Sequence, residues 1–300
     1  MDYDHDLIFG SFITPAASAL PQLEHAAREA DRVGLDLVTL QDHPYNSGFL
    51  DTVTLIGHLA ARTEHVRFAG NVLNLPLRPP AMLAKQIATI DRLSGGRVEL
   101  GLGAGAFWDA IEAYGAPRLT PGQAVDALRE AIPIIRALWG QHGTGSVRFD
   151  GTHYRVAGAR PGPAPAHQVS IWVGAFKPRM LELVGGLADG WLLSLGRMTA
   201  PEIDDAHRRI DDAAQAAGRD PREVRRLANV VGQLQATPTR GLLHGPAEQW
   251  IDQLVTLALG FGFSGFVVAG DDTSQYDAIA NDVIPAVREA VARERRARSA

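Results

Sequence analysis

The chain has 300 residues, 46% hydrophobic and 21% charged, with a formal net charge of −5, the balance of a globular protein that can bury a large core. It contains no cysteine, which excludes disulfides, thiolate metal sites, cysteine nucleophiles and dithiol relays and leaves redox chemistry to a bound cofactor. The acidic balance argues against a nucleic-acid surface, and no apolar run approaches the roughly 20 residues of a membrane helix.

Short apolar, β-branched runs alternate with longer amphipathic ones, the pattern of repeated βα units around a parallel sheet. In chain order the expected strands are 7–13, 37–40, 66–73, 98–103, 170–173, 190–195, 225–234 and 265–268. The expected helices are 20–33, 52–61, 80–93, 121–138, 178–187, 201–217, 246–259 and 276–295. Several open with proline, whose missing N–H is unpaired in a first turn anyway. Eight alternations fit one closed α/β unit, a (β/α)₈ TIM barrel over residues 1–300, better than an open sheet of five or six strands. Residues 140–168 lack a helical pattern, and 147–149 with 153–156 around Asp150-Gly151 read as a small hairpin on the stability face of the barrel. The start, Met1 to Asp6, is acidic where a signal peptide would be basic, so the expected location is cytoplasmic.

In such barrels chemistry sits at the C-terminal ends of the strands. Asp42 and His43 follow strand two directly; a histidine there exchanges a proton near neutral pH and a neighbouring carboxylate can orient it. Read blandly, the pair is a helix-capping Asp beside a surface His. Strand three ends in Gly70-Asn71-Val72-Leu73-Asn74, where two amides in a poor strand context mark either a bulge that presents polar groups to a ligand or an ordinary strand end. Strand four runs into Gly101-Leu102-Gly103-Ala104-Gly105-Ala106. This G-x-G-x-x-A spacing is misplaced for a dinucleotide fingerprint, which follows a first strand; here the glycines would let a flat ring approach the backbone.

Strand five ends in Gly174-Ala175-Phe176-Lys177 before Pro178, and strand six in Ser194-Leu195-Gly196. Small residues ahead of a helix N-terminus expose N–H groups that can hold a phosphate. The ten histidines form no H-E-x-x-H or other compact ligand grouping, so no metal is expected. Trp108 and Phe176 are either core or flank a ring, and Trp191 reads as core.

Together these motifs resemble the luciferase-like family of flavin- and deazaflavin-dependent oxidoreductases. The resemblance is carried by Asp42-His43, Gly70-Asn71-Val72, Arg78 with Pro80-Ala81, Leu93-Ser94-Gly95-Gly96-Arg97, the Gly101–Gly105 block, Ile171–Gly174, Ala188–Trp191 and His244-Gly245-Pro246. It implies a bacterial-luciferase-like barrel that binds coenzyme F420, or alternatively FMN, in its mouth. It further implies a non-prolyl cis peptide at Asn71-Val72 under the ring, phosphate contacts from 174–177 and 194–196, and a homodimer. Some deazaflavin members place a glutamate just after the strand-four glycines; Ala106 stands there in this chain.

The activity so implied is hydride transfer between F420 and a small organic substrate, with His43 exchanging the proton and Asp42 orienting it. The alternatives are an FMN monooxygenase using oxygen, a flavin-binding barrel without a reaction, and a barrel lyase or isomerase that needs neither cofactor.

Overall fold

The computed structural model of the chain describes residues 2–141, 143 and 145–299. Met1 of the acidic start and His142 and Thr144 of the helix-free stretch lie outside the described residues. The barrel strands are β1 (Ile8–Ile13), β2 (Leu37–Leu40), β3 (Arg67–Gly70, resuming as Leu73–Asn74), β4 (Val98–Gly103), β5 (Ile171–Gly174), β6 (Gly190–Ser194), β7 (Arg225–Val231) and β8 (Gly265–Ala269). Every pairing among them is parallel, in the order β3-β2-β1-β8-β7-β6-β5-β4, and β3 pairs with β4 to close the ring. This is the expected (β/α)₈ barrel.

Around it run α1 (Leu20–Val33), α2 (Thr52–Ala60), α3 (Pro80–Ser94), α4 (Trp108–Ala113), α5 (Pro121–Leu138), α6 (Pro178–Leu187), α7 (Ala200–Ala216), α8 (Ala247–Leu259) and α9 (Ile284–Ser299). A short turn at Tyr276–Ala278 and a π-helical stretch, Ile279–Val283, lead into α9. The short α4 carries too few apolar positions for a periodic signal and was not expected. None of the described helices is long and apolar enough to cross a membrane.

Strand alternation sorts side chains between two cores. Leu37, Ala69, Trp172, Leu192, Leu227 and Val267 fill the inside of the barrel, against Ile8, Phe12 and Val72. Their neighbours, such as Phe68, Val98, Ile171 and Leu193, pack outward under the helices. Trp191 is fully buried in that outer layer and donates Nε1–H to the Ala175 carbonyl at 2.9 Å.

Two expected strands are interrupted. On β3 the register passes from Ala69 opposite Glu99 to Leu73 opposite Leu102, four steps against three, so one extra residue bulges out at Asn71-Val72. The expected strand 225–234 ends at Val231; beyond Gly232, Gln233–Leu234 pairs instead with His244–Gly245. The hairpin forms as Val147–Asp150 with Arg155–Ala159, antiparallel and between α5 and β5.

Candidate active site at the C-terminal mouth of the barrel

The peptide between Asn71 and Val72 is cis. The bulge it belongs to explains the strand-four glycines better than ring approach does. A Cβ on Gly101 would stand 1.9 Å from the Gly70 carbonyl oxygen, and one on Gly103 2.6 Å from Val72 Cγ2. Both glycines therefore admit the bulge; Gly101 does not reach the cavity, which corrects the sequence reading for it, whereas Gly103 also lines the cavity wall. Gly105, with φ +94 and Pro76 close above it, makes the turn into α4.

Val72 then forms the floor of a cavity of about 500 Å³, bounded by the bulge, Asp42-His43, Tyr45, the segment Gly103–Trp108, Pro121, Ala124 and Val125 of α5, Gly174–Lys177 and Met180. Below the bulge the barrel interior turns polar. Asn71 and Asn229 exchange both amide hydrogen bonds, at 2.7 and 3.1 Å, and Asn71 Nδ2 also donates to Thr39 Oγ1 at 3.2 Å. Asn229 Nδ2 reaches Ser194 Oγ at 3.5 Å. This belt fixes Asn71, and so the floor, from beneath.

A larger hollow of about 780 Å³ opens at the opposite, N-terminal mouth. Its cations are engaged: Arg67 with Glu99, Arg288 with Asp36, Arg295 with Asp2, and Arg97 with the carbonyls of Ala60, Thr63 and Val66. The smaller cavity, at the end where barrel loops carry chemistry, is the candidate site.

Asp42 does not orient His43. Its side chain is buried and takes a bidentate grip from Arg78, Nε to Oδ2 at 2.9 Å and Nη2 to Oδ1 at 2.6 Å, while the Asn74 N–H donates to Oδ2 at 2.8 Å. Arg78 Nη2 also reaches Asp51 at 2.6 Å, and Asp51 caps α2 by accepting from the Thr54 N–H. Burial alone would loosen the Arg78 proton; the Asp42 hydrogen bonds and charge outweigh it and hold the guanidinium above its ordinary range. Asp42 is thus a structural anchor, and the expected orientation of His43 by this carboxylate is corrected: both oxygens are engaged by Arg78 and the Asn74 N–H.

His43 takes its orientation from elsewhere. Its Nδ1 lies 2.8 Å from the Tyr45 hydroxyl, and its ring packs edge-on to Phe107 with centroids 5.3 Å apart. Nε2 has no hydrogen-bond partner among the described residues. Burial pushes the imidazole below its ordinary pKa, and the Asp42 charge pulls it back only in part. The same two causes, burial and then Asp42, raise the Tyr45 hydroxyl.

The two expected phosphate loops part company. Gly174, Ala175, Phe176 and Lys177 line the cavity and lead into α6, whose N-terminus has no side-chain cap. Ser194, Leu195 and Gly196 do not line it: Ser194 faces Asn229, Leu195 is buried in the outer core, and only Gly196 is open. The helix that follows them, α7, opens at Thr199, whose own N–H and hydroxyl both donate to the Glu202 carboxylate at 2.8 Å, so an acidic side chain already sits at this helix start.

Among the other expected site residues, Asn71, Val72, Asn74, Ala104, Gly105, Trp108 and Phe176 all reach the cavity. The residues present fit a flat, largely apolar cofactor with a polar edge: the floor and walls are apolar, and the buried Asn74 Oδ1 has no partner among the described residues. Sequence reasoning missed Tyr45 and Asn229. Asn229 carried the same signal as Asn71, an amide inside a β-branched strand; Tyr45 carried none. No group of three potential metal ligands occurs among the described residues.

Fold and site together define a (β/α)₈ barrel with a cofactor-sized cavity over a strand-three bulge. The chain belongs to the luciferase-like monooxygenase family, whose model matches residues 8–240. A 5,10-methylenetetrahydromethanopterin reductase of Methanolobus tindarius is 32% identical over 220 residues, 73% of this chain and 63% of that protein. An F420-dependent glucose-6-phosphate dehydrogenase of Microbacterium testaceum is 30% identical over 207 residues, 67% of this chain and 60% of that protein. The chain thus spans a little under two thirds of these relatives' length. An F420-dependent secondary alcohol dehydrogenase, solved with an F420-acetone adduct, shares the fold with a TM-score of 0.81 at 19% identity, over 94% of this chain and 99% of that one.

Proposed function

We propose that the chain is an enzyme transferring a hydride between coenzyme F420, held in the C-terminal cavity, and a small organic substrate. The observation that carries this reading is His43: a half-buried imidazole with one ring nitrogen left for a ligand, on the wall of an otherwise mainly apolar cavity. The F420 dependence of the similar Microbacterium testaceum glucose-6-phosphate dehydrogenase supports the choice of cofactor.

When bound, the deazaflavin supplies a two-electron hydride acceptor or donor. The protein's part is binding, orientation and the proton. Val72 and the walls from Ala104 and Met180 take the apolar ring. The backbone at Gly174–Lys177, with the open N-terminus of α6, receives the phosphate. Ser194 and Gly196 lie one strand further along the rim, as a secondary contact. His43 Nε2 accepts the proton that a substrate hydroxyl loses as its carbon gives up hydride, and returns it in the reverse direction. Phe107 and Trp108 shield that exchange from water.

The test is isotopic. Protein and F420 are incubated with a panel of small alcohols deuterated at the carbinol carbon, and the deazaflavin is analysed by mass. Deuterium on the reduced cofactor is expected for a turned-over substrate, and solvent hydrogen in its place contradicts direct hydride transfer. FMN in place of F420 should give no such reduction.

A further inference from the structure

We propose that Tyr45 is the positioning residue of the site: it holds His43 with hydrogen on Nδ1, so that Nε2 presents a lone pair to the substrate. This rests on the reading of His43 as the proton-exchanging group. The geometry on the Tyr45 side is direct, 2.8 Å between Nδ1 and the phenol oxygen, and Asp42, the obvious alternative orienting group, has both oxygens engaged by Arg78 and the Asn74 N–H.

A neutral imidazole carries one hydrogen, and which nitrogen holds it is set by the partner of the other. With Nδ1–H donating to Tyr45, proton uptake occurs at Nε2, and the Nδ1 bond persists unchanged in the imidazolium. No hydrogen has to be relocated during the reaction. The phenol hydrogen then needs an acceptor of its own. The Asn74 side-chain amide lies beside the same hydroxyl with its NH2 toward it, and its buried oxygen, turned away, has no partner among the described residues. The two amide orientations of an asparagine have the same shape, and the one that turns oxygen toward Tyr45 completes the chain Asn74–Tyr45–His43. Among the described residues the rings of Phe49 and Phe107 also pack on His43 and accept nothing in the ring plane; the charges around it include Asp42, its partner Arg78, Asp51 beyond, and Lys177, which lines the same cavity.

The experiment is nitrogen-15 NMR of the histidine rings in the cofactor-free protein above the imidazole titration, with His43 assigned by the loss of its signals in His43→Gln. The expected result is the Nδ1–H tautomer in the parent and the Nε2–H tautomer, the usual one in water, in Tyr45→Phe. Tyr45→Phe should also lower the imidazole pKa, because the imidazolium loses its acceptor, and reduce turnover roughly ten- to a hundredfold, the effect of one hydrogen bond to a charged group. An Nε2–H tautomer in the parent overturns the proposal outright, whether or not the variant folds. An Nδ1–H tautomer unchanged in Tyr45→Phe overturns the role of Tyr45. Failure of F420 to bind would remove the proposed activity and leave the tautomer result standing, so the two readings fail separately.

Discussion

Arg78 grips Asp42 through two parallel hydrogen bonds, at 2.9 and 2.6 Å, and so ties the end of β2 to the loop that follows the β3 bulge. Both side chains are nearly inaccessible, with relative exposures of 10% and 1%. Removing one partner strands a buried charge, which typically costs about 3–5 kcal/mol. Arg78→Ala should lower unfolding stability by that order in urea melts. Arg78→Lys should recover little, because an ammonium cannot make the two-pronged contact. Near-parental stability in Arg78→Ala would show that the pair is not what fixes this corner.

His43→Ala is expected to reduce turnover by roughly 10²–10⁴ while leaving F420 affinity largely intact, the usual contribution of a positioned acid–base group. Burial holds its pKa below the ordinary value of about 6.5. In the oxidising direction the acid limb of kcat/KM should therefore fall below that pH, and it should vanish in the variant. An unchanged rate removes His43 from the chemistry.

Gly101 and Gly103 provide a steric test of the bulge. Gly101→Ala drives a Cβ into the Gly70 carbonyl, a backbone atom that cannot yield cheaply, and should destabilise by about 3 kcal/mol or more. Gly103→Ala clashes with the Val72 side chain and meets the Leu73 carbonyl only at ordinary contact distance, so it should spare the fold more and disturb the cavity floor. Gly196→Ala, with open space around its Cβ, should be silent when the three variants are compared in thermal melts. Equal effects at all three positions would contradict the packing described for the bulge.

Far from the site, His207 is fully buried against Trp191, Phe263 and Tyr3, and burial, with Arg226 adding to it, holds its pKa down at about 3. The unfolded chain takes up this proton near pH 6.5 and the folded chain does not. Stability from this group is therefore complete above about pH 6.5 and falls by about 1.4 kcal/mol per unit as pH drops from there toward 3. His207→Phe should flatten the upper part of that acid limb in denaturant titrations. The same slope in parent and variant would mean that other groups carry it.

The barrel was legible because eight strand-like runs recur between amphipathic segments, and because side-chain periodicity needs only local residues. The bulge was legible as a place: Asn71 and Asn74 sit where a continuous strand would carry apolar or β-branched residues. What fills the space around it was not. The contacts of Gly101 with Gly70 and of Asp42 with Arg78 join residues 31 and 36 positions apart, and only the closed ring sets them at contact distance. The adjacency of Asp42 and His43 invited the reading that the one orients the other. In the fold the two side chains diverge, one to Arg78 and the other to Tyr45. The two phosphate loops looked alike in sequence. They differ in the helix that follows: the start of α7 carries the Glu202 carboxylate, engaged by Thr199, and the start of α6 has no side-chain cap.

That difference leads to an asymmetric prediction. Gly174→Glu adds bulk and a like charge where the phosphate is proposed to lie, and should weaken F420 severely. Ser194→Ala, already turned toward Asn229, should weaken it no more than about 1.5–3 kcal/mol, the value of one hydrogen bond to a charged group. Binding isotherms of the two variants measure this, and a larger loss in Ser194→Ala would move the phosphate to the β6 loop.

The central claim, a deazaflavin-dependent hydride-transfer site in the C-terminal cavity, is tested most directly by equilibrium titration of the purified chain with F420 and with FMN, each oxidised and reduced, beside Gly174→Glu. Saturable F420 binding at one site per chain is predicted, tighter than FMN in the matching redox state and abolished or strongly weakened in the variant. Preference for FMN, or F420 binding indifferent to Gly174→Glu, would contradict it.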